Sequence, residues 1–300
     1  MTLAGGEVSY LEWAAQAPLL HFAHATGFNA QTYRGLLTPL QGRFRVAAAD
    51  LRGHGFTTLP AVPGPQAAWN NFGDDLAAIL DRLDPAPAIL AAILDRLDPA
   101  PAILAGHSMG AITGLMVAAA RPERVRGLVL VEPVLVPRFA RPFAALRRLL
   151  GWAPPPGTDL VSMAAKRRAI FPSFEAALAT YRGRGAFKTW PEETVADYLR
   201  GGLISTGNGT EMRLACAPAW ESAIFRNAPP GDASLARRVK CPLTLIYCGD
   251  GTAKEREVKL VARLHGDVRL VKVPGTTHFL PMERPDIVQD EIARMLKVTA

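Results

Sequence analysis

The chain has 300 residues, 49% of them hydrophobic and 20% charged, an ordinary globular balance that excludes disordered, collagen-like and coiled-coil chains. Its net charge is +7. No apolar run reaches the roughly 18 residues that a membrane-spanning helix needs. In chain order, residues 7–13 and 18–25 read as strands, 32–40 as a helix, and 44–49 as a short buried strand ending at Asp50. Residues 69–83 read as a helix that Asn70 or Asn71 could cap. Residues 102–105 form the next expected strand, followed by a helix over 110–120 stopped at Pro122 and a strand over 125–131. Residues 138–238 read as mostly helical. A strand over 243–248, a helix over 254–264, a strand over 268–273 and a helix over 285–296 complete the chain. Strands alternating with helices imply an α/β protein with a mainly parallel sheet.

Three features stand outside this pattern. Residues 77–90 and 91–104 carry the same 14 residues, AAILDRLDPAPAIL. Two copies are too few for a solenoid. They read as a recent duplication in which the second Pro-Ala-Ile-Leu supplies the strand before Gly106 and one copy becomes surface helix and loop. The positive charge is also local. Residues 138–238 hold 15 Lys/Arg against 8 Asp/Glu, and the remainder is neutral. This marks a separate module, and the mixed stretch 139–152 reads as a helix with solvated arginines. Without a Lys-rich tail or a reader motif, nucleic acid is not an expected partner. Finally, Cys216, Cys241 and Cys248 form no Cys-x-x-Cys pair, and the first seven residues lack the basic start and apolar core of a signal peptide. The expectation is a cytoplasmic protein whose thiols are buried as small hydrophobes.

The chemistry is concentrated in three motifs. Gly106-His107-Ser108-Met109-Gly110 follows a strand and opens an Ala-rich helix. In that context small residues two positions either side of Ser108 let strand and helix cross closely, which lifts its Oγ above a helix N-terminus as a nucleophile. A serine needs a base. Of the six histidines, His107 lies inside the elbow with its ring directed away from Oγ, His54 lies in a turn, His21 and His24 belong to a strand, and His265 ends a helix. His278, in Gly275-Thr276-Thr277-His278-Phe279, has the loop context and the late chain position. The turn His24-Ala25-Thr26-Gly27-Phe28-Asn29 can offer a backbone N–H to an oxyanion, with a second from Met109.

These motifs, together with Asp50-Leu51-Arg52-Gly53-His54-Gly55 and Glu283-Arg284-Pro285-Asp286, resemble the α/β-hydrolase superfamily over the whole chain in order. The resemblance implies an eight-stranded, mostly parallel sheet flanked by helices, here with its first strand short or absent. The core would be residues 1–137 and 239–300, with 138–238 inserted as a helical cap. It also implies a Ser–His–acid triad of Ser108, His278 and a carboxylate. Most members place that acid three residues beyond a Gly ending the seventh strand, where this chain has Thr252. Glu132, after the sixth strand, is the first choice and Asp250 the second. At the oxyanion turn the usual His-Gly is His24-Ala25, and spacing to Tyr33 points to Thr26, with Phe28 as the alternative. The implied activity is a serine hydrolase of carboxylesterase type acting on a small ester-like molecule as a monomer or homodimer, with no metal, nucleotide or flavin cofactor. Thioesterase, lactonase, amidase and C–C bond hydrolase activities share the motifs, as does a non-catalytic ligand-binding protein. A basic pocket for the C–C hydrolase case would draw on Arg138, Arg141, Arg147 or Arg148.

Overall fold

Seven strands form the central sheet. The computed structural model describes residues 1–64, 67–83, 101–135, 146, 150, 159–207, 211–227, 233–249 and 251–299. A two-stranded hairpin, β1 (Thr2–Leu3) and β2 (Gly6–Glu7), stands apart from the sheet. The sheet itself contains β3 (Tyr10–Trp13), β4 (Leu19–Ala23), β5 (Arg45–Ala49), β6 (Ala102–His107), β7 (Val125–Val131), β11 (Leu243–Tyr247) and β12 (Val268–Lys272). Its order is β12-β11-β7-β6-β4-β5-β3, parallel throughout except for β3, which runs antiparallel to β5. The α/β-hydrolase fold is therefore present, with seven strands in the sheet among the described residues.

Both faces of the sheet are covered, so β4, β6 and β11 are buried at every position. On one face lie α2 (Trp69–Leu83), α3 (Met109–Ala120) and α8 (Glu255–His265), which contribute Leu76, Ile79, Ile112, Leu115, Val258 and Val261 to the core. On the other lie α1 (Arg34–Leu37) and α10 (Pro285–Val298), with Leu36, Leu37, Ile292 and Met295. Between β7 and β11 the chain forms α4 (Leu160–Ala165), α5 (Phe174–Tyr181), α6 (Glu192–Gly202) and α7 (Pro218–Arg226). The short α9 (Leu280–Glu283) precedes α10.

Three local expectations need correction. The strand over 7–13 is broken, because Val8 N–H donates to Met1 O (2.8 Å) and Ser9 N–H to Thr57 Oγ1 (3.0 Å) instead of continuing a ladder. The helix over 32–40 is a succession of short turns, a 3₁₀ turn at Ala30–Tyr33, then α1, then a 3₁₀ turn at Thr38–Leu40. Pro39 has no N–H with which to extend the α-helix. Asn70 and Asn71 lie inside the first turn of α2 rather than capping it. Among its described residues the inserted segment is mostly helical, as expected. It holds an antiparallel sheet, β8 (Ile170–Phe171), β10 (Met212–Leu214) and β9 (Leu203–Ser205), entered where Gly201 and Gly202 close α6. The duplication is placed at both ends. The first copy's Ala77 to Leu83 completes α2, and the second copy's Ala-Ile-Leu opens β6. Residues 84–100 lie outside the described residues.

The tightest packing in the sheet is at the start of α3. A Cβ on Gly110 would stand 2.1 Å from the Ala23 carbonyl oxygen and 2.7 Å from that of His24. A Cβ on Gly106 would stand 2.5 Å from the Gly110 carbonyl carbon. These contacts are backbone and cannot rotate away. Gly110→Ala should therefore destabilise the protein by roughly 1–3 kcal/mol, read as a lower urea midpoint at an unchanged m-value.

Candidate active site

Ser108 follows the last residue of β6 and caps α3. Its φ of 56° and ψ of −113° lie outside the helix and strand regions. Only Ser108 and Glu132 among the described non-glycine residues have positive φ. Such strain persists where surrounding contacts over-determine it. Ser108 N–H donates to Val131 O (3.0 Å), and the flanking glycines admit the close crossing. The residue is 7% exposed, and its Oγ lies 3.0 Å from His278 Nε2.

His278 sits between β12 and α9 on a loop held by its own threonines. Thr276 Oγ1 donates to Val273 O (2.7 Å), while Thr277 donates through N–H (2.7 Å) and Oγ1 (2.6 Å) to the Glu283 carboxylate. This explains the Glu that follows the histidine motif in sequence. The other ring nitrogen, Nδ1, lies 3.2 Å from Glu132 Oε2 and 3.0 Å from Thr252 Oγ1.

Glu132 is fully buried at the end of β7. Cys248 N–H donates to its Oε1 (2.7 Å), and Thr252 N–H to its Oε2 (3.0 Å). Burial alone would raise its pKa, but hydrogen bonds from His278 and from Cys248 N–H outweigh burial and hold the pKa below the ordinary glutamate value. Gly251 makes room for this carboxylate, since a Cβ there would stand 2.1 Å from Oε2. Thr252 is not an acid, yet its hydroxyl touches His278 and both the carbonyl and carboxylate of Glu132. Only its distance from the Gly ending β11 hinted at this in sequence. Asp250 lies outside the described residues, as do Arg138, Arg141, Arg147 and Arg148.

The 24–29 turn packs directly on α3. Thr26 Oγ1 lies 3.2 Å from Met109 Sδ. Within the turn, Phe28 N–H is taken by Ala25 O (3.1 Å) and Gly27 N–H by His54 Nε2 (3.0 Å). The N–H groups of Thr26 and Met109 have no acceptor among the described residues. The 50–55 motif builds this arrangement. Burial pushes the His54 pKa down to about 4, so Nε2 is a free acceptor at neutral pH, and Nδ1–H donates to Arg52 O (3.0 Å). Asp50 accepts from Ala30 N–H (2.8 Å) and Phe56 N–H (3.2 Å), and Gly55 lies against its carboxylate.

The family model for the alpha/beta hydrolase family matches residues 22–291. The chain belongs to this family. It is 25% identical over 281 residues to 2-(acetamidomethylene)succinate hydrolase of Mesorhizobium japonicum, covering 93% of this chain and 88% of that protein. An esterase of Mycobacterium tuberculosis is 31% identical over 127 residues, 42% of this chain and 37% of the relative. Among solved structures, the thioesterase domain from the curacin biosynthetic pathway superposes with a TM-score of 0.76 at 19% identity, over 98% of this chain and 97% of that one. The crystal structure of E-2-(acetamidomethylene)succinate hydrolase gives 0.73 at 22% identity, over 97% and 96%. At these identities the superpositions speak for the fold. Among the described residues, no helix is long and apolar enough to cross a membrane.

Because the folded state depresses the Glu132 pKa, its ionised form adds stability above the ordinary glutamate value of 4.5 and loses it as pH falls through the lowered one. The thermal midpoint of the wild type should exceed that of Glu132→Gln at pH 7, and the gap should shrink on acidification below about pH 4.

Proposed function

We propose that this α/β-hydrolase-family chain is a serine hydrolase of small ester-type substrates, with Ser108 as nucleophile, His278 as general base and acid, and Glu132 as the orienting carboxylate. The observation that carries the reading is the unbroken contact from Ser108 Oγ to His278 Nε2 (3.0 Å) and from His278 Nδ1 to Glu132 Oε2 (3.2 Å). Ser108 Oγ attacks the acyl carbon as its proton passes to His278. The imidazolium, facing an ionised Glu132, returns that proton to the leaving alcohol. Water, deprotonated by the same imidazole, then releases the acyl group. The negative oxygen of each tetrahedral intermediate is received by the N–H groups of Thr26 and Met109, each worth roughly 3 kcal/mol by analogy with other oxyanion donors. The reading takes 138–238 as a cap over the core formed by 1–137 and 239–300. Its test is labelling by a fluorophosphonate. The wild type should label and Ser108→Ala should not. A folded wild type that fails to label overturns the reading. Glu132→Gln should lower kcat by roughly two to four orders of magnitude, as misplacing an imidazole does elsewhere.

A further inference from the structure

Beneath the nucleophile runs a chain of hydrogen bonds whose two ends are backbone groups. At one end Ala25 N–H, beside Thr26, donates to Tyr33 Oη (3.1 Å). Tyr33 Oη lies 2.8 Å from His107 Nδ1. His107 Nε2 lies 2.7 Å from the main-chain oxygen of His278. An amide N–H can only donate and a carbonyl oxygen can only accept. The carbonyl end requires a proton on His107 Nε2, which donates to His278 O. Tyr33 Oη accepts from Ala25 N–H. With His107 neutral, its Nδ1 carries no proton and accepts the Tyr33 hydroxyl proton.

Three further observations support this assignment. His107 is wholly buried, and burial, followed by the neighbouring His278 ring, depresses its pKa well below the ordinary value. Its ring centroid lies 4.9 Å from that of His278, so a second cation here would oppose the imidazolium formed during proton transfer. Tyr33 is also fully buried, with its ring 4.6 Å from Phe22 and 6.4 Å from Phe28, which leaves its hydroxyl little freedom.

We infer that His107 and Tyr33 are positioning residues, a hydrogen-bonded strut that sets the distance between the 24–29 turn and the His278 loop. The inference rests on the serine hydrolase reading above. Neither residue touches the reacting atoms. His107 fixes where the imidazole of His278 stands relative to Ser108, and Tyr33 ties that placement to the N–H groups that receive the oxyanion. A displacement of about 1 Å in such a constellation can cost on the order of a hundredfold in rate.

The test is a double-mutant cycle with Tyr33→Phe and His107→Leu, read as kcat and KM on an activated ester and as the rate of fluorophosphonate labelling. Each single variant should lower kcat and the labelling rate roughly tenfold or more with KM little changed. The double variant should be no slower than the slower single one, because both break one strut. His107→Gln, whose amide N–H can still reach the His278 carbonyl, should recover most of the rate. Additive losses would overturn the inference, as would a Tyr33→Phe variant with full kcat. If His107→Leu does not fold, Tyr33→Phe and His107→Gln decide the matter, since the first deletes one oxygen and the second keeps the donor. An unlabelled wild type would overturn the serine hydrolase reading itself. A labelled wild type with fully active variants overturns only the strut.

Discussion

Everything in the site depends on how closely α3 approaches the end of β4 beneath Ser108. A side chain as small as methyl at Gly110 would overlap the Ala23 carbonyl, and one at Gly106 would overlap the start of the helix. Without that approach Ser108 could not hold a φ of 56° at the tip of β6. The parallel register then does the rest. Gly106 pairs with Ala23, His107 with Val131, and Val131 with Ile246. The carboxyl ends of four adjacent strands therefore finish at one edge. They deliver the 24–29 turn, Ser108, Glu132 and Cys248 side by side, where open α/β sheets place their ligands.

Two neighbouring strand ends meet at His278 Nδ1. The loop after β11 presents the Thr252 hydroxyl. Glu132, at the end of the adjacent β7 and with its N–H paired to Ile246 O, presents a carboxylate. A fully buried carboxylate would be costly alone. Here two backbone N–H groups and an imidazole meet it, and the absence of a side chain at Gly251 leaves space for it. The positive φ of Glu132 turns its side chain out of the strand's alternation toward this cluster.

The inserted segment is tied to the loops of the site rather than to the sheet. Asn29 Nδ2 donates to Tyr198 O (2.9 Å), Thr189 Oγ1 to Glu283 (2.5 Å), and Trp220 Nε1 to Arg52 O (3.2 Å). The contacts land on the 24–29 turn, on the glutamate that holds the His278 loop and on the 50–55 motif. Phe28, within the 24–29 turn, and Phe279, next to His278, meet Trp190 at ring distances of 5.3 and 5.6 Å. Any rearrangement of the segment would therefore be felt by both loops at once.

The alternation of apolar runs with helical patterns was enough to read β6, β7, α2 and α3 to within two residues, because the buried strands are near-continuous apolar runs, α2 carries one apolar stripe, and the almost wholly apolar α3 is set off by Gly110 and Pro122. Ser108 could be singled out because the elbow needs glycines at fixed spacing, a local requirement, and His278 because of its loop context late in the chain; the structure brings the two within 3.0 Å. Glu132 and Asp250 are both candidates in sequence, because which strand end lies beside the His278 loop is set only when β7 and β11 pair; Glu132 lies 3.2 Å from His278 Nδ1, and Asp250 lies outside the described residues. Thr252, His107 and Tyr33 were invisible as a group. They lie 26 to 171 residues from the partners they touch on the path to His278. No periodicity connects such positions, because hydrogen-bond partners across a sheet are set by register and crossover rather than by neighbouring sequence. Local sterics wrote the elbow, the glycines and the strand order of burial into the chain itself. The approach of Glu132 and Thr252 to His278, the contacts of Tyr33 with His107 and the reach of the inserted segment arise only from tertiary packing.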